Sequence, residues 1–452
     1  MKILLVDVIN NYDNIQTKYY SLGLGYLISF LPENIRKKID VKIINSQVEE
    51  EIVSFGPDMV GLSCVSQNFN RAKQIAKFCK DRNIIVIVGK SHITAIPSGL
   101  DDNMDVGIIG EGEQTFSEII ELFIDKKFTK ANLRMVKGII FHDEGNLVQT
   151  ERRPLIENLD LIPFPDRNFF NIEKGDNIYM FTSRGCPYKC KFCFSSRFWE
   201  KTRFHSAEYV IREIKYLVDR YNPLRITFCD DLFIADKKRL EKIVELIKKQ
   251  EFYKKVKFTV SVRANLVNND SARLLKEMGV DIVSMGLESG NERMIKFLKG
   301  DSITVKDNRD AINYLLKYNL QVSASFIIGS PDETREEIMD TLNFIKKSRL
   351  DFFDVYVLLP LPGTPIWEYA LQRQLVSDDM DWNKLNIDFV NNYKNYLILS
   401  EKLDREELKY LYDLFLKERK KRRFKLLTKY IFRRPKEIIF FIKNKIKKRF
   451  IY

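Results

Sequence analysis

Short apolar runs alternate with helix-like segments along most of this chain, and the alternation limits the folds that it can adopt. Five runs near the start have the length of buried strands: Ile3–Val8, Val41–Ile44, Met59–Val65, Ile84–Val88 and Val106–Ile109. Strands joined by helical crossovers run parallel, and both faces of their sheet are covered. We therefore predict an α/β fold for residues 1–135, a doubly wound parallel sheet of the flavodoxin-like or Rossmann-like kind. Such sheets bind ligands beyond the carboxyl ends of their strands.

A second alternating stretch, residues 176–395, repeats the strand–helix unit six times. The predicted strands are Ile178–Ser183, Arg225–Asp230, Lys257–Arg263, Ile282–Glu288, Val322–Gly329 and Phe352–Leu359. Six units are too few to close an eight-unit barrel, so the pattern predicts an open, partial (β/α)6 barrel of the TIM type. Its chemistry should lie on the loops that follow the strands. Between the two stretches, residues 136–175 contain "RRPLIENLDLIPFPDRNFF", whose three prolines and lack of period are typical of a surface linker.

The last part of the chain, residues 396–452, has the pattern of a basic helical segment. From Lys417 onward, sixteen lysines and arginines face only Glu418 and Glu437, a balance of +14, whereas the whole chain carries +13. The basic character therefore belongs to this tail. Such a segment can lie on an anionic membrane surface, bind nucleic acid or simply cap the preceding domain. Nucleic acid is the least favoured of the three.

Composition places the chain in a reducing compartment. Of its 452 residues 45% are hydrophobic, which is enough for two or three buried cores. No run of eighteen apolar residues predicts a membrane-spanning helix, and the first ten residues have the pattern of a buried strand rather than a signal peptide. Six cysteines do not make a disulfide framework in a chain of this length. We expect a cytoplasmic protein, with the tail as its candidate contact with the inner membrane face.

Three of the six cysteines lie within eight positions, in "SRGCPYKCKFCFSS", directly after the first predicted strand of the barrel. The C-x3-C-x2-C spacing lacks the fourth ligand that structural zinc and ordinary iron–sulfur electron carriers use. His205 and Cys229 could supply it, but a helix start and a core position explain them better. Zinc stays open as the less favoured alternative. The favoured interpretation is a [4Fe–4S] cluster on Cys186, Cys190 and Cys193, with one iron left open for a substrate or cofactor.

The motif, the aromatic Phe192 before its last cysteine and its place after the first barrel strand resemble the radical S-adenosylmethionine superfamily. In that family the amino and carboxylate groups of S-adenosylmethionine chelate the open iron. An electron from the reduced cluster cleaves the C–S bond, and the resulting 5′-deoxyadenosyl radical abstracts a hydrogen atom from the substrate. The resemblance also implies a reduced electron donor of the flavodoxin or ferredoxin type.

The resemblance implies contacts with S-adenosylmethionine at the ends of the later strands. The implied residues are Phe192, Asp230, Asp231, Arg263, Glu288, Ser289, Gly329 and Pro331. The two aspartates can accept hydrogen bonds from an ammonium group, while the "GLESG" and G-x-P segments are similar to the family's ribose and adenine segments. Structural alternatives stay open, because acidic residues also start helices and a G-x-P segment also makes a turn.

The first domain resembles the cobalamin-binding domain that precedes many such barrels. The segments that carry this resemblance are "LGLGYL", "GLS", "GKSH" and "GEGE", together with "ENLDLIPFPDR" in the linker. The corrin would then lie over the carboxyl edge of the sheet, with its nucleotide tail inside the domain. The implied cobalamin contacts are Ser63, Gly89, His92, Gly110, Glu111 and Gly112.

Two departures from the cobalamin pattern stand out. The D-x-H-x-x-G motif that supplies a histidine to cobalt is absent, and none of the three histidines follows the first strand. In addition, the usual G-G-P-H loop reads "GKSH", so Lys90 stands where the backbone approaches the nucleotide tail. His92 is therefore as easily a hydrogen-bond partner within the loop as a cofactor contact. A degenerate domain kept for packing is the alternative to cobalamin binding.

The leading hypothesis is a cobalamin-dependent radical S-adenosylmethionine enzyme that methylates an unactivated carbon of a small-molecule or lipid substrate in a biosynthetic pathway. One S-adenosylmethionine would supply the radical, and another would remethylate the cobalamin. The alternatives are oxidative cyclisation or rearrangement without methyl transfer, and a non-catalytic cobalamin or redox sensor. A methylthiotransferase is disfavoured, because its second set of cysteines and its C-terminal β-barrel module are missing from the sequence. No catalytic acid or base is identified by the pattern.

Overall fold

The computed structural model describes residues 1–9 and 20–433. Its first unit is a seven-stranded sheet. Its strands are β1 (Lys2–Asp7), β2 (Asp40–Ile44), β3 (Met59–Ser63), β4 (Ile85–Gly89), β5 (Val106–Ile108), β6 (Ile139–Asp143) and β7 (Asn146–Gln149). Their spatial order is β2-β1-β3-β4-β5-β6-β7, and the pairings are parallel as far as β5. The predicted five-stranded, doubly wound parallel sheet is confirmed.

Helices cover both faces of this first sheet. They are α1 (Leu22–Phe30), α2 (Glu33–Arg36), α3 (Val48–Phe55), α4 (Phe69–Lys80), α5 (Ser91–Ala95), α6 (Glu113–Ile124) and α7 (Lys130–Leu133). Alternate residues of β1 explain the two layers, because side chains in a strand point to opposite faces. Leu5 packs in the same cluster as Phe116 of α6, whereas Leu4 packs with Ile52 of α3 and Ile75 of α4.

The antiparallel hairpin of β6 and β7 lies within the segment that the sequence assigned to the linker. Both central residues of its turn, Glu144 and Gly145, have positive φ angles of 50° and 79°. A tight hairpin turn of the I′ type requires this conformation, and glycine adopts it at low cost. The pairing of β6 with β5 buries Ile139 and Phe141, so the hairpin extends the first sheet and the irregular connection begins after Gln149.

The second unit contains a six-stranded parallel sheet and a small antiparallel pair. The strands are β8 (Asn177–Met180), β9 (Ser183–Arg184), β10 (Arg203–Phe204), β11 (Arg225–Phe228), β12 (Lys257–Val262), β13 (Val280–Glu288), β14 (Gln321–Ile328) and β15 (Phe352–Val357). The large sheet has the order β15-β14-β13-β12-β11-β8, and β9 pairs with β10. The six predicted strands are therefore confirmed as one parallel sheet in chain order, and the partial barrel stays an interpretation of it.

Several of the helices in the second unit begin at polar side-chain caps. The helices of this unit are α8 (Ser195–Phe198), α9 (Ala207–Tyr221), α10 (Lys237–Lys249), α11 (Phe252–Lys255), α12 (Asn269–Met278), α13 (Glu292–Lys299), α14 (Val305–Lys317), α15 (Arg335–Lys347), α16 (Pro365–Gln372), α17 (Phe389–Asn392) and α18 (Arg405–Arg433). Ser206, predicted as an N-cap, accepts a hydrogen bond from the backbone N–H of Tyr209 at 3.0 Å. This cap satisfies one of the free donors at the start of α9.

The long helix α18 packs against the last strand of the second sheet. The hydroxyl of Tyr412 donates to the carbonyl of Val355 at 3.1 Å, and Arg422 donates to the carbonyl of Leu350 at 2.7 Å. The start of the basic segment therefore serves as a cap, while residues 434–452 lie outside the described residues. None of the helices formed by the described residues combines the length and hydrophobicity that a membrane span requires.

Candidate active site

The three-cysteine loop follows β9 through a turn that only glycine can make. Gly185 has a φ of 91°, and a Cβ atom there would lie 2.6 Å from the carbonyl oxygen of Lys201. Behind this turn, Cys190 is buried, while Cys186 and Cys193 are half-buried and all three thiols are free. Burial raises the pKa of Cys186 and raises that of Cys193 to about 11. Metal binding at this loop must therefore displace protons from the thiols.

Arg263, at the end of β12, holds the middle of the cysteine loop. One guanidinium nitrogen donates to the Sγ of Cys190 at 3.2 Å, and the guanidinium lies 3.9 Å from the ring centre of Tyr188. Its remaining donors reach Asn265 and the carbonyl of Lys299. A cation that donates to a cysteine sulfur suits an anionic iron–sulfur cluster, whose properties depend on such hydrogen bonds.

The spacing of the cysteines also bears on the zinc alternative. Within the described residues, no three His, Cys, Asp or Glu side chains converge closely enough to hold a single metal ion. A tetrahedral zinc ion with Zn–S bonds of about 2.3 Å would hold its sulfurs about 3.8 Å apart. A cubic cluster instead binds each thiolate through a separate iron. The described residues therefore do not show an assembled zinc site.

A small cavity of about 230 Å³ brings together two of the residues implied for S-adenosylmethionine. Phe192 and Glu288 line it, together with Ser325, Ile327 and Tyr356. Glu288 has a φ of 60°, a left-handed conformation that is costly for a residue with a side chain.

The carboxylate of Glu288 is buried in a space that the neighbouring glycine provides. A Cβ atom on Gly286 would lie 2.1 Å from its Oε1 atom. Burial raises the pKa of Glu288, while Lys299, with its Nζ atom 3.6 Å away, opposes that shift. The carboxylate is therefore held beside Gly286 and Lys299 in a fixed orientation.

The two adjacent aspartates after β11 have different surroundings. Asp230 is buried and accepts hydrogen bonds from the backbone N–H groups of Thr182 at 2.6 Å and Ser183 at 3.1 Å. It therefore anchors the chain that leads into the cysteine loop. Asp231 instead faces a second, larger cavity and accepts a hydrogen bond from Ser195 at 2.5 Å.

Three further residues implied for S-adenosylmethionine, Ser289, Gly329 and Pro331, do not line the small cavity and instead contribute to the backbone after the strand ends. The Oγ of Ser289 accepts from the backbone N–H of Asn291 at 3.0 Å, and the carbonyl of Pro331 accepts from that of Glu401 at 2.6 Å. Gly329 has a φ of 77°, where a side chain would be strained. Direct contacts of these residues with S-adenosylmethionine stay predictions.

Sequence reasoning missed Glu333 in this segment. Its Oε2 accepts from the backbone N–H of Ser330 at 3.0 Å, and its Oε1 is buried without a partner among the described residues. Burial raises the pKa of Glu333 to about 8. Its position two residues after Pro331 would indicate a role at this site only if the end of β14 were already known.

The larger cavity, of about 600 Å³, lies between the two units. The cobalamin candidates that line it are Ser63, Gly89, Gly110, Glu111 and Gly112. From the second unit it is lined by Tyr179, Phe181, Ser183, Arg184, Phe198, Trp199, Cys229 and Asp231. The carboxyl edge of the first sheet and the entrance to the cysteine loop therefore share one mostly apolar cavity.

Two family models match the two units. Residues 180–345 match the radical SAM superfamily, and residues 11–120 match the B12 binding domain. An uncharacterized methyltransferase from Pyrococcus horikoshii is 35% identical over 395 residues, which cover 83% of this chain and 83% of that protein. This chain belongs to the radical SAM superfamily, among the members with a B12-binding domain. It is therefore an enzyme.

Two further similarities extend over most of the chain. An anaerobic magnesium-protoporphyrin IX monomethyl ester cyclase from Cereibacter sphaeroides is 24% identical over 75% of this chain and 58% of that protein. The structure of the radical S-adenosylmethionine methyltransferase TsrM from Kitasatospora setae, with cobalamin and a [4Fe–4S] cluster bound, has a TM-score of 0.67. It is 15% identical and covers 83% of this chain and 75% of that one, so the likeness concerns the fold.

The predicted cofactors of this radical SAM enzyme, a [4Fe–4S] cluster, S-adenosylmethionine and cobalamin, are confirmed at the level of the family. The large cavity also fits the third of them. Gly110 has a φ of 81°, and no atom lies within 4 Å of a Cβ atom built on it, so backbone is open to the cavity there. At Gly89 the nearest atom to such a Cβ is 3.9 Å away. A flat, bulky ligand can approach these backbones closely.

His92 does not line the cavity of this radical SAM enzyme. It is fully buried, its Nδ1 lies 3.0 Å from the hydroxyl of Ser66, and its ring packs on Phe69 and Trp382. Burial lowers the pKa of His92 to about 3. This position favours the structural alternative over a cobalamin contact. His142 and His205, the other two histidines of the chain, also lie outside the cavity lining.

Four buried charged side chains join the two units beside the large cavity, and sequence reasoning did not identify their pairing. Arg184 donates from one nitrogen to Glu111 at 2.7 Å and from the other to Glu113, and Arg203 makes two bonds to Glu111 at 2.9 and 3.0 Å. We call this group the interdomain ion cluster. Although burial opposes it, the two arginines lower the pKa of Glu111.

Proposed function

We propose that this enzyme transfers a methyl group from cobalamin to an unactivated carbon of a small-molecule substrate in a biosynthetic pathway. The observation that carries the proposal is the shared cavity. Gly89 and Gly110 border it on the cobalamin side, and Trp199, Cys229 and Asp231 border it on the side of the cysteine loop. A substrate bound between these walls would contact both halves of the reaction.

The bound cofactors supply the difficult chemistry, since cobalamin provides a transferable methyl group and the cluster with S-adenosylmethionine provides one-electron chemistry. The chain supplies enclosure and orientation. Phe181, Phe198 and Trp199 present apolar surface that excludes water from reactive species. Asp231 offers a carboxylate that can accept a hydrogen bond from a donor group of the substrate. The substrate proposed here is thus a largely apolar molecule with at least one such donor.

Oxidative cyclisation without methyl transfer is the second candidate, and the similarity to the magnesium-protoporphyrin ester cyclase favours it. The relatives named above are methyltransferases and a cyclase, which weakens the sensor alternative. The electron donor and a lipid substrate stay predictions.

An isotope experiment separates the two candidates. The anaerobically reconstituted enzyme is incubated with dithionite, cobalamin, S-adenosylmethionine carrying a deuterated methyl group, and a small-molecule extract of cells lacking the gene. We expect 5′-deoxyadenosine together with a product that carries the intact deuterated methyl group. Formation of 5′-deoxyadenosine with an unlabelled, dehydrogenated product would overturn methyl transfer and establish cyclisation. The Cys190→Ala variant is the control that must form neither product.

We also keep as a proposal the contact of the basic tail with an anionic membrane surface. Lys420, Lys421, Arg423 and Phe424 are exposed on α18, so cations and an aromatic side chain are available on the described part of the tail. Sedimentation with phosphatidylglycerol vesicles should retain the full chain and release it at high salt. Equal sedimentation with neutral vesicles would contradict the proposal.

A further inference from the structure

The interdomain ion cluster connects three separate segments of the chain. Glu111 comes from the loop between β5 and α6 and Glu113 from the first position of α6, whereas Arg184 comes from β9 and Arg203 from β10. Glu111 also accepts from the backbone N–H of Ile156, in the connection between the two units, at 2.8 Å. All four charged side chains are at least nine-tenths buried.

The position of this cluster relates the two cofactor regions. Glu111 and Glu113 flank Gly112 in the wall of the large cavity, and Arg184 lines the same cavity from the second unit, in direct contact with both carboxylates. Arg184 lies two residues before Cys186, so its ion pairs fix the chain directly before the first cysteine. A single guanidinium therefore ties the first cysteine to the loop on the cobalamin side.

Stability alone is a weak reason for burying four charges. Removing such ions from water costs several kcal/mol each, and apolar side chains of similar volume often stabilise an interface as well or better. What the ion cluster adds is direction, because the fork of Arg184 meets both carboxylates at once and allows one relative orientation. Trp199 supports this orientation, since the guanidinium groups of Arg184 and Arg203 lie 5.3 and 5.7 Å from its ring centre.

We infer that Glu111, Glu113, Arg184 and Arg203 are positioning residues that set the distance between the iron–sulfur cluster and cobalamin. This inference rests on the cofactors and goes beyond the proposed reaction, since it holds for methyl transfer and for cyclisation alike. The four residues act through the cysteine loop and the cavity wall and need no contact with the substrate.

The test measures the distance between the two metal centres in the reconstituted enzyme. Reduction gives a paramagnetic cluster and paramagnetic cobalt(II), whose magnetic coupling is read by pulsed electron paramagnetic resonance. In Glu113→Gln we expect the cluster–cobalt distance distribution to broaden and shift, with unchanged iron, sulfide and cobalamin content. We also expect more 5′-deoxyadenosine per product formed than in the wild type, since radical formation no longer matches the geometry of the next step.

The chain offers a matched control for the loss of a buried ion pair. Glu213 pairs with Arg167 at 2.6 Å, and both side chains are fully buried, away from the cavity lining. Glu213→Gln should lower stability about as much as Glu113→Gln but leave the distance distribution narrow. Equal broadening in both variants would overturn the inference. So would a Glu113→Gln protein that binds all its cofactors and has a cluster–cobalt distance distribution as narrow as that of the wild type.

A second variant keeps the inference testable if Glu113→Gln does not assemble. Arg184→Lys retains the positive charge but removes the fork that meets both carboxylates. It should broaden the distance distribution in the same way, and an unchanged distribution with full cofactor content would overturn the inference. Because the readout is a distance and needs no substrate, its failure is distinguishable from a failure of the proposed methyl transfer.

Discussion

The carboxyl edges of the two sheets differ in the chemical groups that they present. At the first edge, Gly89 and Gly110 expose backbone to the large cavity. At the second edge, Cys190, Arg263 and Glu288 form a network of buried, ionisable side chains. The first edge can accept a bulky ligand through its shape, whereas the second edge supplies ligands, charges and hydrogen bonds. Added volume should therefore impair the first edge, and removal of a functional group should impair the second.

The largest effect is expected at the second edge, where Cys190→Ala removes one of three cluster ligands. We expect loss of the iron-dependent absorbance near the visible range and of 5′-deoxyadenosine formation after anaerobic reconstitution. Cys79→Ala is the matched control, since Cys79 is a buried core cysteine of α4. It should cost some stability but retain iron and activity. Full iron content with S-adenosylmethionine cleavage in Cys190→Ala would contradict the ligand set and the contrast between the edges.

A smaller but measurable effect is expected from Glu333, which also lies at the second edge. Its folded pKa of about 8 is higher than the unfolded value of 4.5, so the folded protein holds this proton more tightly. The resulting stability is complete below pH 4.5 and is lost as the pH rises through 8. Relative to Glu333→Gln, the wild type should lose about 1.4 kcal/mol of unfolding free energy per pH unit in this window. Urea unfolding at several pH values measures the slope.

Glu337, in the helix α15 that follows Glu333, gives the opposite sign and serves as the control. Its hydrogen bond with Arg293 lowers the pKa of Glu337. The stability that it adds is present above pH 4.5 and is lost as the pH falls through the lowered value. Glu337→Gln should therefore differ from the wild type mainly at neutral pH, and the difference should shrink in acid. Parallel pH profiles for the two variants would show that Glu333 is not a buried, protonated carboxyl group.

Strand order and cluster motif could be predicted from the sequence because both depend on local patterns. Apolar runs of the right length became β1, β3 and β4, and the cysteine spacing identified a cluster loop. The hairpin of β6 and β7 was missed because "DEGN" lies beside a proline-rich segment, and its pairing with β5 spans more than 30 residues.

Local sequence patterns could not predict which side chains pair across the two units. Nothing near Glu113 in the sequence indicates Arg184, which is 71 positions away. The same limit explains why the sequence analysis assigned both Asp230 and Asp231 to S-adenosylmethionine. Adjacent side chains at the end of a strand point in opposite directions, and these two have different partners. His92 was left undecided for the related reason that its neighbour Trp382 comes from a short helix almost 300 residues further along the chain.

The smallest expected effect tests the shape of the first edge. Gly89→Ala adds a methyl group whose nearest neighbour, Ile108, is 3.9 Å away, so the free protein accommodates it without strain. If cobalamin approaches the backbone of Gly89, this methyl group should weaken binding about tenfold, or about 1.4 kcal/mol, in a titration followed by absorbance. Gly107→Ala is the contrasting variant, since its Cβ atom would lie 2.7 Å from Ile93 and 2.8 Å from Ile140 in the core. It should lower stability by about 1–3 kcal/mol through overpacking. Unchanged cobalamin affinity in Gly89→Ala would show that the ligand does not approach this strand end. The first sheet edge would then not select its ligand by shape, and the contrast with the second edge would fail.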